Sequence, residues 1–331
     1  MNRSVLSLLA VIPLVSGCLH HPMQKPARDP APLPAAFQND EPRPETLPIV
    51  VGQQILKTNG NCVVSEIDLQ AGKPGYPPVK MTYYAQCNLK APAPAILILP
   101  IMGGRTYPLE TFFAKGFVHH GYHALVVHRP DIKDEIRDLE DIDTLLKASL
   151  SDTRRIIDWL ERQPNVDAKR LGLFGISLGA IRGVMVMGME PRLRAGVLGL
   201  PGGDLPYIAT HSEDKNIKKA RTKILEKNQL SIEEGEARLR EAITCEPLAI
   251  APSVDPSRVL LVIAAFDKVV HASKGWELRR KMGNPQTIQL CGGHYSSVVH
   301  VPYLRGASSR FFAKHFEEDH RPQPQHRIPW Q

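Results

Sequence analysis

The segment from Leu171 to Ala180 reads Leu-Gly-Leu-Phe-Gly-Ile-Ser-Leu-Gly-Ala and contains the spacing Gly175-x-Ser177-x-Gly179. A serine hydroxyl attacks a carbonyl only where it is exposed and where a base takes its proton. The residues before Ser177 form a short apolar strand, and Ala180 to Met187 reads as a buried helix. Ser177 therefore falls on a sharp strand-to-helix turn, with glycines where a Cβ would collide with neighbouring backbone. Such a turn also aims the first amides of the helix at the serine. The NH of Leu178 is placed to hold the oxyanion of a tetrahedral intermediate. The chemistry indicated is acyl transfer through a serine. The five-residue pattern is weak alone and gains weight from its flanking strand and helix.

Val166-Asp167-Ala168-Lys169-Arg170 running into Leu171 to Ala180 resembles the elbow region of α/β-hydrolases, especially the dienelactone hydrolase and prolyl oligopeptidase-like branches. The resemblance covers roughly residues 90 to 318 and says little about the substrate. It implies an α/β fold: a mostly parallel central sheet with helices on both faces and a short helical cap. It also implies partners for the serine. Asp267 follows the strong strand Arg258 to Phe266, in the context Asp267-Lys268-Val269-Val270, and matches the family's acid. His294, in Gly292-Gly293-His294-Tyr295 after the last strand, matches the family's histidine. Asp204, which follows the strand Arg194 to Pro201, is a second choice of acid, since some members place it there. The loop Ile101-Met102-Gly103-Gly104-Arg105 matches the segment that donates a second oxyanion NH, and puts Met102 in that role. Here Pro100-Ile101 replaces the family's His-Gly, which leaves the register open by one residue.

The order Ser177, Asp267, His294 is that of α/β-hydrolases. Serine needs a base that titrates near neutrality, and histidine needs a carboxylate to fix its tautomer and balance its charge. Each of the three falls on a loop leaving a strand, at the edge where open α/β sheets place their sites. The expectation is a serine esterase working through an acyl-enzyme, on a small-molecule carboxylic ester, with no metal or organic cofactor required. A thioester or peptide substrate stays open. So do acyl transfer to a non-water acceptor and a non-catalytic binding or structural role on the same fold.

The 331 residues, 43% hydrophobic, suit one large catalytic domain with extras, or two small domains. The net charge of +7 comes from 41 basic and 34 acidic residues spread along the chain, with no basic block interleaved with aromatics. Nucleic acid binding is therefore not expected. Met1-Asn2-Arg3 followed by the apolar Ser4 to Val15 has the form of a secretory signal. It ends in Val15-Ser16-Gly17-Cys18, which resembles the lipobox of bacterial lipoproteins. That resemblance implies a signal over residues 1–17, a lipid on Cys18 and a place in the bacterial cell envelope. With Leu19 next, it implies the outer membrane. Cys62, Cys87, Cys245 and Cys291 remain; export permits disulfides, but their pairing is left open.

The elements around the site follow from pattern. Residues 18–48 are rich in proline and read as an extended tether holding the domain, 49–318, off the membrane. Ile49 to Val51, Cys62 to Leu69 and Val79 to Ala85 read as an antiparallel edge, and Ala95 to Pro100 as a strand buried on both faces. Helices are expected over Leu109 to His120, Thr144 to Arg162, Ser273 to Met282 and Tyr303 to Phe316. Residues from about 205 to 254 lose the strand pattern. Two charged helices there, Asn216 to Asn228 and Ser231 to Ile243, read as the cap. His119 and His120 read as the C-terminal end of a helix, where positive charge is favoured, and His123 and His128 lie on a different element, so the four are not expected to form a metal site. Residues 319–331 are a polar tail.

Overall fold

The computed structural model describes residues 18–25, 29–38, 47–70, 78–103, 106–128 and 138–317. The expected signal segment and polar tail lie outside the described residues, as do Gly104 and Arg105.

Among the described residues, ten strands form one sheet: β1 Cys18–His21, β2 Ile49–Asn59, β3 Cys62–Gln70, β4 Val79–Gln86, β5 Ala93–Leu99, β6 His123–Val127, β7 Val166–Ile176, β8 Leu193–Gly199, β9 Val259–Ala264 and β10 Gln286–Leu290. Their spatial order is β1-β10-β9-β8-β7-β5-β6-β4-β3-β2. The six strands from β5 to β10 are mutually parallel, while β2, β3 and β4 add antiparallel on one side and β1 on the other. Strand β5 shows why its apolar run was continuous. Ala95, Leu97 and Leu99 enter one hydrophobic cluster, and Ile96 and Ile98 enter the cluster on the opposite face.

The helices are α1 Ala35–Gln38, α2 Pro108–His119, α3 Asp141–Leu160, α4 Leu178–Met189, α5 Leu205–His211, α6 Lys215–Asn228, α7 Ile232–Ala242, α8 Pro247–Ile250, α9 Ala272–Lys281 and α10 Val301–Glu317. Helices α3, α4 and α9 bury apolar side chains on one face of the sheet, and α2 and α10 on the other. On the second face Phe113, Phe117 and Phe312 are fully buried. Each such side chain contributes about 1.5–3 kcal/mol of transfer free energy. Helix α3 begins at Asp141 rather than Thr144, because Asp141 and Asp143 suit the positive end of a helix and Asp141 accepts the NH of Asp138 at 2.8 Å. The cap region holds α6 and α7, close to the expected bounds, and also α5 and α8. Ser231 caps α7 in a reciprocal box with Glu234.

Two expectations about the chain's periphery differ from the structure. Strand β2 continues to Asn59 instead of stopping at Val51. It is an edge strand, mostly exposed on both faces, so no alternation of polar and apolar residues announced it. The described parts of residues 18–48 do not stand off the domain as a tether. Cys18–His21 pairs with β10, His21 Nε2 donates to Gln289 Oε1 at 2.9 Å, the NH of Ala31 bonds Pro252 O at 2.8 Å, and Phe37 is buried. The open ladder of β10 and a pocket for one aromatic ring outweigh the proline content. None of the five cysteines, all among the described residues, joins a disulfide; burial and the neighbouring Cys87 push the Cys62 thiol up. Among the described residues, no helix is long and apolar enough to cross a membrane.

Candidate active site

Strand β7 ends at Ile176 and α4 starts at Leu178, so Ser177 alone makes the turn, at φ 55° and ψ −123°. A non-glycine residue in this region is strained and persists only where its surroundings hold it. They do so here: the Ser177 NH donates to Gly199 O at 2.8 Å, and the Ser177 carbonyl accepts from the NH groups of Ala180 and Ile181 at 2.9 Å each. A Cβ on Gly175 would sit 2.4 Å from Gly179 O, and one on Gly179 would sit 2.2 Å from Leu99 O. Both contacts are with backbone, so glycine is required at both positions.

Strand β9 delivers Asp267 and β10 delivers His294 to the same end of the sheet. Asp267 Oδ1 accepts the NH groups of Val269 at 2.8 Å and Val270 at 3.0 Å. Its Oδ2 lies 2.7 Å from His294 Nδ1, and His294 Nε2 lies 3.0 Å from Ser177 Oγ. The two side chains are 4% and 9% exposed, which keeps solvent from competing for these bonds. With Nδ1–H donating to the carboxylate, Nε2 is left as the acceptor for the serine hydroxyl. The histidine loop is braced by its own hydrogen bonds: Gly293 NH to Ser296 Oγ at 2.8 Å, Ser297 Oγ to Gly293 O at 2.7 Å, and Phe266 NH to Gly292 O at 2.9 Å.

Asp204, the second choice of acid, caps α5 and pairs with Lys274 at 2.6 Å and Arg240 at 3.0 Å. Burial pushes its carboxyl up, but these two cations bring it net below the usual range. It is the histidine's hydrogen bond to Asp267 that separates the two acids.

Met102 lies on the loop after β5 and is 42% exposed. The loop is shaped by a carboxylate: the Ile101 NH donates to Glu110 Oε1 at 2.9 Å, and Gly103 NH donates to Ile101 O at 3.0 Å. Glu110, in the first turn of α2, is buried. Leu178 is the first residue of α4, so its NH belongs to the unpaired amino end of that helix.

Sequence reasoning missed two residues beside the histidine. The Tyr295 hydroxyl donates to Asp214 Oδ2, while Asp214 Oδ1 accepts the NH groups of Asn216 at 2.8 Å and Ile217 at 2.9 Å as the N-cap of α6. Burial pushes the Asp214 carboxyl up; the Tyr295 hydroxyl, the two amides and nearby His294 carry it net below its ordinary value. Burial first, and then the bond to Asp214, push the Tyr295 hydroxyl up to about 12. An aspartate just before a helical run was a readable cap signal. Its reach to the histidine loop was not.

The four clustered histidines do not converge: the rings of His119 and His120 meet edge to face at 5.8 Å, and the others turn elsewhere. His123 is buried and bonds Tyr83 and the carbonyl of Asn165, His128 bonds Thr82 and stacks on Tyr107, and His120 bonds the carbonyl of Gly116. Among the described residues, no group of three or more His, Cys, Asp or Glu is placed to hold a metal ion.

No protein-family model matches the chain, and no curated protein does. Solved structures do. The chain is similar to acetyl xylan esterase 1 from a Thermoanaerobacterium species, at 14% identity and a TM-score of 0.63, over 88% of this chain and 96% of that one. It is similar to an acetyl xylan esterase from a Paenibacillus species, at 16% identity and a TM-score of 0.65, over 84% and 91%. A glucuronoyl esterase from Solibacter usitatus matches at 15% identity and a TM-score of 0.55, over 88% and 90%. The chain has the α/β-hydrolase fold.

Proposed function

We propose that the protein is a serine hydrolase of carboxylic esters, with Ser177 as nucleophile, His294 as general base and Asp267 as the acid that orients it. The observation carrying this reading is the unbroken chain of hydrogen bonds from Asp267 through both ring nitrogens of His294 to Ser177. That the similar structures are named esterases supports the reaction class. As Ser177 Oγ attacks the ester carbonyl, its proton passes to His294 Nε2, and the imidazolium is balanced by Asp267. The oxyanion is held by the NH groups of Leu178 and Met102. Collapse expels the alcohol, which takes the proton from His294. A water molecule then repeats the sequence on the acyl-enzyme and releases the acid. These steps call on no metal or organic cofactor.

The same proposal includes the lipid. Cys18 is the acylated residue of a cell-envelope lipoprotein, directed to the outer membrane, and residues 1–17 are its signal; the Val15-Ser16-Gly17-Cys18 sequence supports this.

The test is covalent labelling of the full chain with a fluorophosphonate, beside Ser177→Ala. Labelling of the parent and not of the variant is expected. A folded parent that takes no label would overturn the catalytic reading and favour a binding role. Product analysis with an added alcohol acceptor then separates hydrolysis from acyl transfer.

A further inference from the structure

The position of β1 joins two features that are far apart in sequence. Because β1 runs antiparallel to β10, Cys18 stands opposite Leu290, at the end of the sheet from which the His294 loop departs. Its Sγ lies 3.8 Å from Nδ1 of His300, in the turn Ser296–His300 that follows Tyr295. Cys18 thus sits beside the turn that follows the His294 loop, at the end of β10 from which that loop leaves.

The rim of the catalytic mouth is apolar where it has no structural need to be. Phe266, Tyr295, Val298 and Val299 are between 63% and 68% exposed. Phe266 precedes Asp267, Tyr295 follows His294, and Val298 and Val299 share the turn that touches Cys18. Large apolar side chains scattered singly mean little, but these four stand on two loops bonded to each other through Phe266 NH and Gly292 O at 2.9 Å, beside the site, and together they mark a contact surface.

A basic flank adjoins it. Helix α6 starts from Asp214, the residue bonded to Tyr295, and carries Lys215, Lys218 and Lys219 exposed in its first turns. Glu213, the acidic group beside them, is drawn to Lys268 at 3.7 Å. Apolar side chains edged by exposed lysines suit a bilayer with anionic headgroups, where burial and charge attraction add.

We infer that the rim formed by Phe266, Tyr295, Val298 and Val299, with the lysines of α6, docks on an anionic phospholipid bilayer, so that the catalytic mouth faces the membrane from which the Cys18 lipid holds it. The inference rests on the lipid-bearing reading of Cys18. It assigns as substrates esters presented at the membrane surface, in place of soluble ones reached by a domain held off on a tether.

The experiment uses the full chain, purified from bacterial membranes and reconstituted in vesicles of phosphatidylethanolamine and phosphatidylglycerol, with and without brominated acyl chains. Val299→Trp and Phe266→Trp are compared with Lys169→Trp, an exposed position near the start of β7, at the opposite end of the sheet. The parent's own tryptophan emission is subtracted. Bromine is expected to quench Val299→Trp and Phe266→Trp and to leave Lys169→Trp bright. Replacing phosphatidylglycerol by phosphatidylcholine is expected to weaken the quenching. Equal emission from Val299→Trp and Lys169→Trp would overturn the inference. So would a Val299→Trp signal that is unquenched but changes as the chain self-associates, which would assign the rim to a second copy. Fatty-acid incorporation into the parent and into Cys18→Ser is read in parallel. A lipidated parent with an unquenched rim sinks the orientation and leaves the anchor standing. An unlipidated parent sinks the anchor, and quenching at Val299→Trp then supports docking by the rim alone, while its absence overturns it.

Discussion

The Tyr295 hydroxyl hydrogen-bonds Asp214 Oδ2, tying the residue after His294 to the N-cap of α6 in the cap. The loop that carries His294 and the cap are thus joined through one carboxylate, whose other oxygen starts a helix. Removing the hydroxyl leaves the cap helix capped but releases it from the loop. A hydrogen bond to a charged group contributes about 1.5–3 kcal/mol. Tyr295→Phe is therefore expected to lower unfolding stability by about 1.5–3 kcal/mol, and to lower kcat/KM through the loosened His294 loop. In a double-mutant cycle with Asp214→Asn the loss in the double variant should fall short of the sum of the two single losses by at least about 0.5 kcal/mol. Strict additivity would mean that the pair does not act as a unit.

Asp267→Asn tests the orienting acid. The amide keeps the shape of the carboxylate, so the bonds from Val269 and Val270 have a partner, but the histidine is offered a neutral group and loses control of its tautomer. The expected result is a fall in kcat of about 10³–10⁴-fold with the fold intact. Asp204→Asn, which breaks the pairs with Lys274 and Arg240, should disturb stability more than the chemical step. The reverse ranking in steady-state kinetics would reassign the acid.

Gly179→Ala should be among the most damaging small substitutions in the chain. Its Cβ would lie 2.2 Å from Leu99 O, so either β5 or the elbow must move. A loss of about 3 kcal/mol or more is expected, the range of severe core strain. Gly60→Ala is the control: it has a positive φ of 53° but nothing within 4 Å. It should cost only about 1–2 kcal/mol, the price of a left-handed L-residue. Denaturant midpoints of the two variants decide the matter.

Asp152, on α3, gives a pH signature. Burial pushes its carboxyl from 3.8 to about 6, against the opposing pull of Arg155 and Arg182. An acid whose folded value is raised binds more protons folded than unfolded between those two values. Stability then falls as pH rises from about 4 to 6, and the cost is complete above that. At 1.36 kcal/mol per unit the cost is on the order of 2–3 kcal/mol. Asp152→Asn should flatten this segment of the stability profile and gain most relative to the parent above pH 6. Unchanged curvature in denaturation followed from pH 4 to 7 would refute it.

Much of the architecture was legible because it rests on local rules. The continuous apolar run of β5, the helical spacing in α3 and the Ser231–Glu234 cap of α7 each carry their own period or hydrogen-bond pattern. The elbow was legible for the same reason, since two glycines around a serine have a steric cause in a few residues. Strand β2 was only partly visible, because an exposed edge imposes no alternation.

What could not be read were relations between distant residues. Glu110 reaching the Ile101 NH, Tyr295 reaching Asp214 and Phe37 finding the core depend on where unrelated segments meet. By itself the sequence determined the strand-to-helix turn at Ser177, the doubly covered sheet and the order of the three polar side chains. Only the tertiary structure decided that His294 turns to Asp267 rather than to Asp204. It also decided that the described parts of the proline-rich segment lie on the domain, with Cys18 paired to the end of β10. The physical reason is common to both. Periodicity and sterics act over a few residues of chain, whereas a partner for a buried hydrogen-bonding group is chosen by packing across the whole fold.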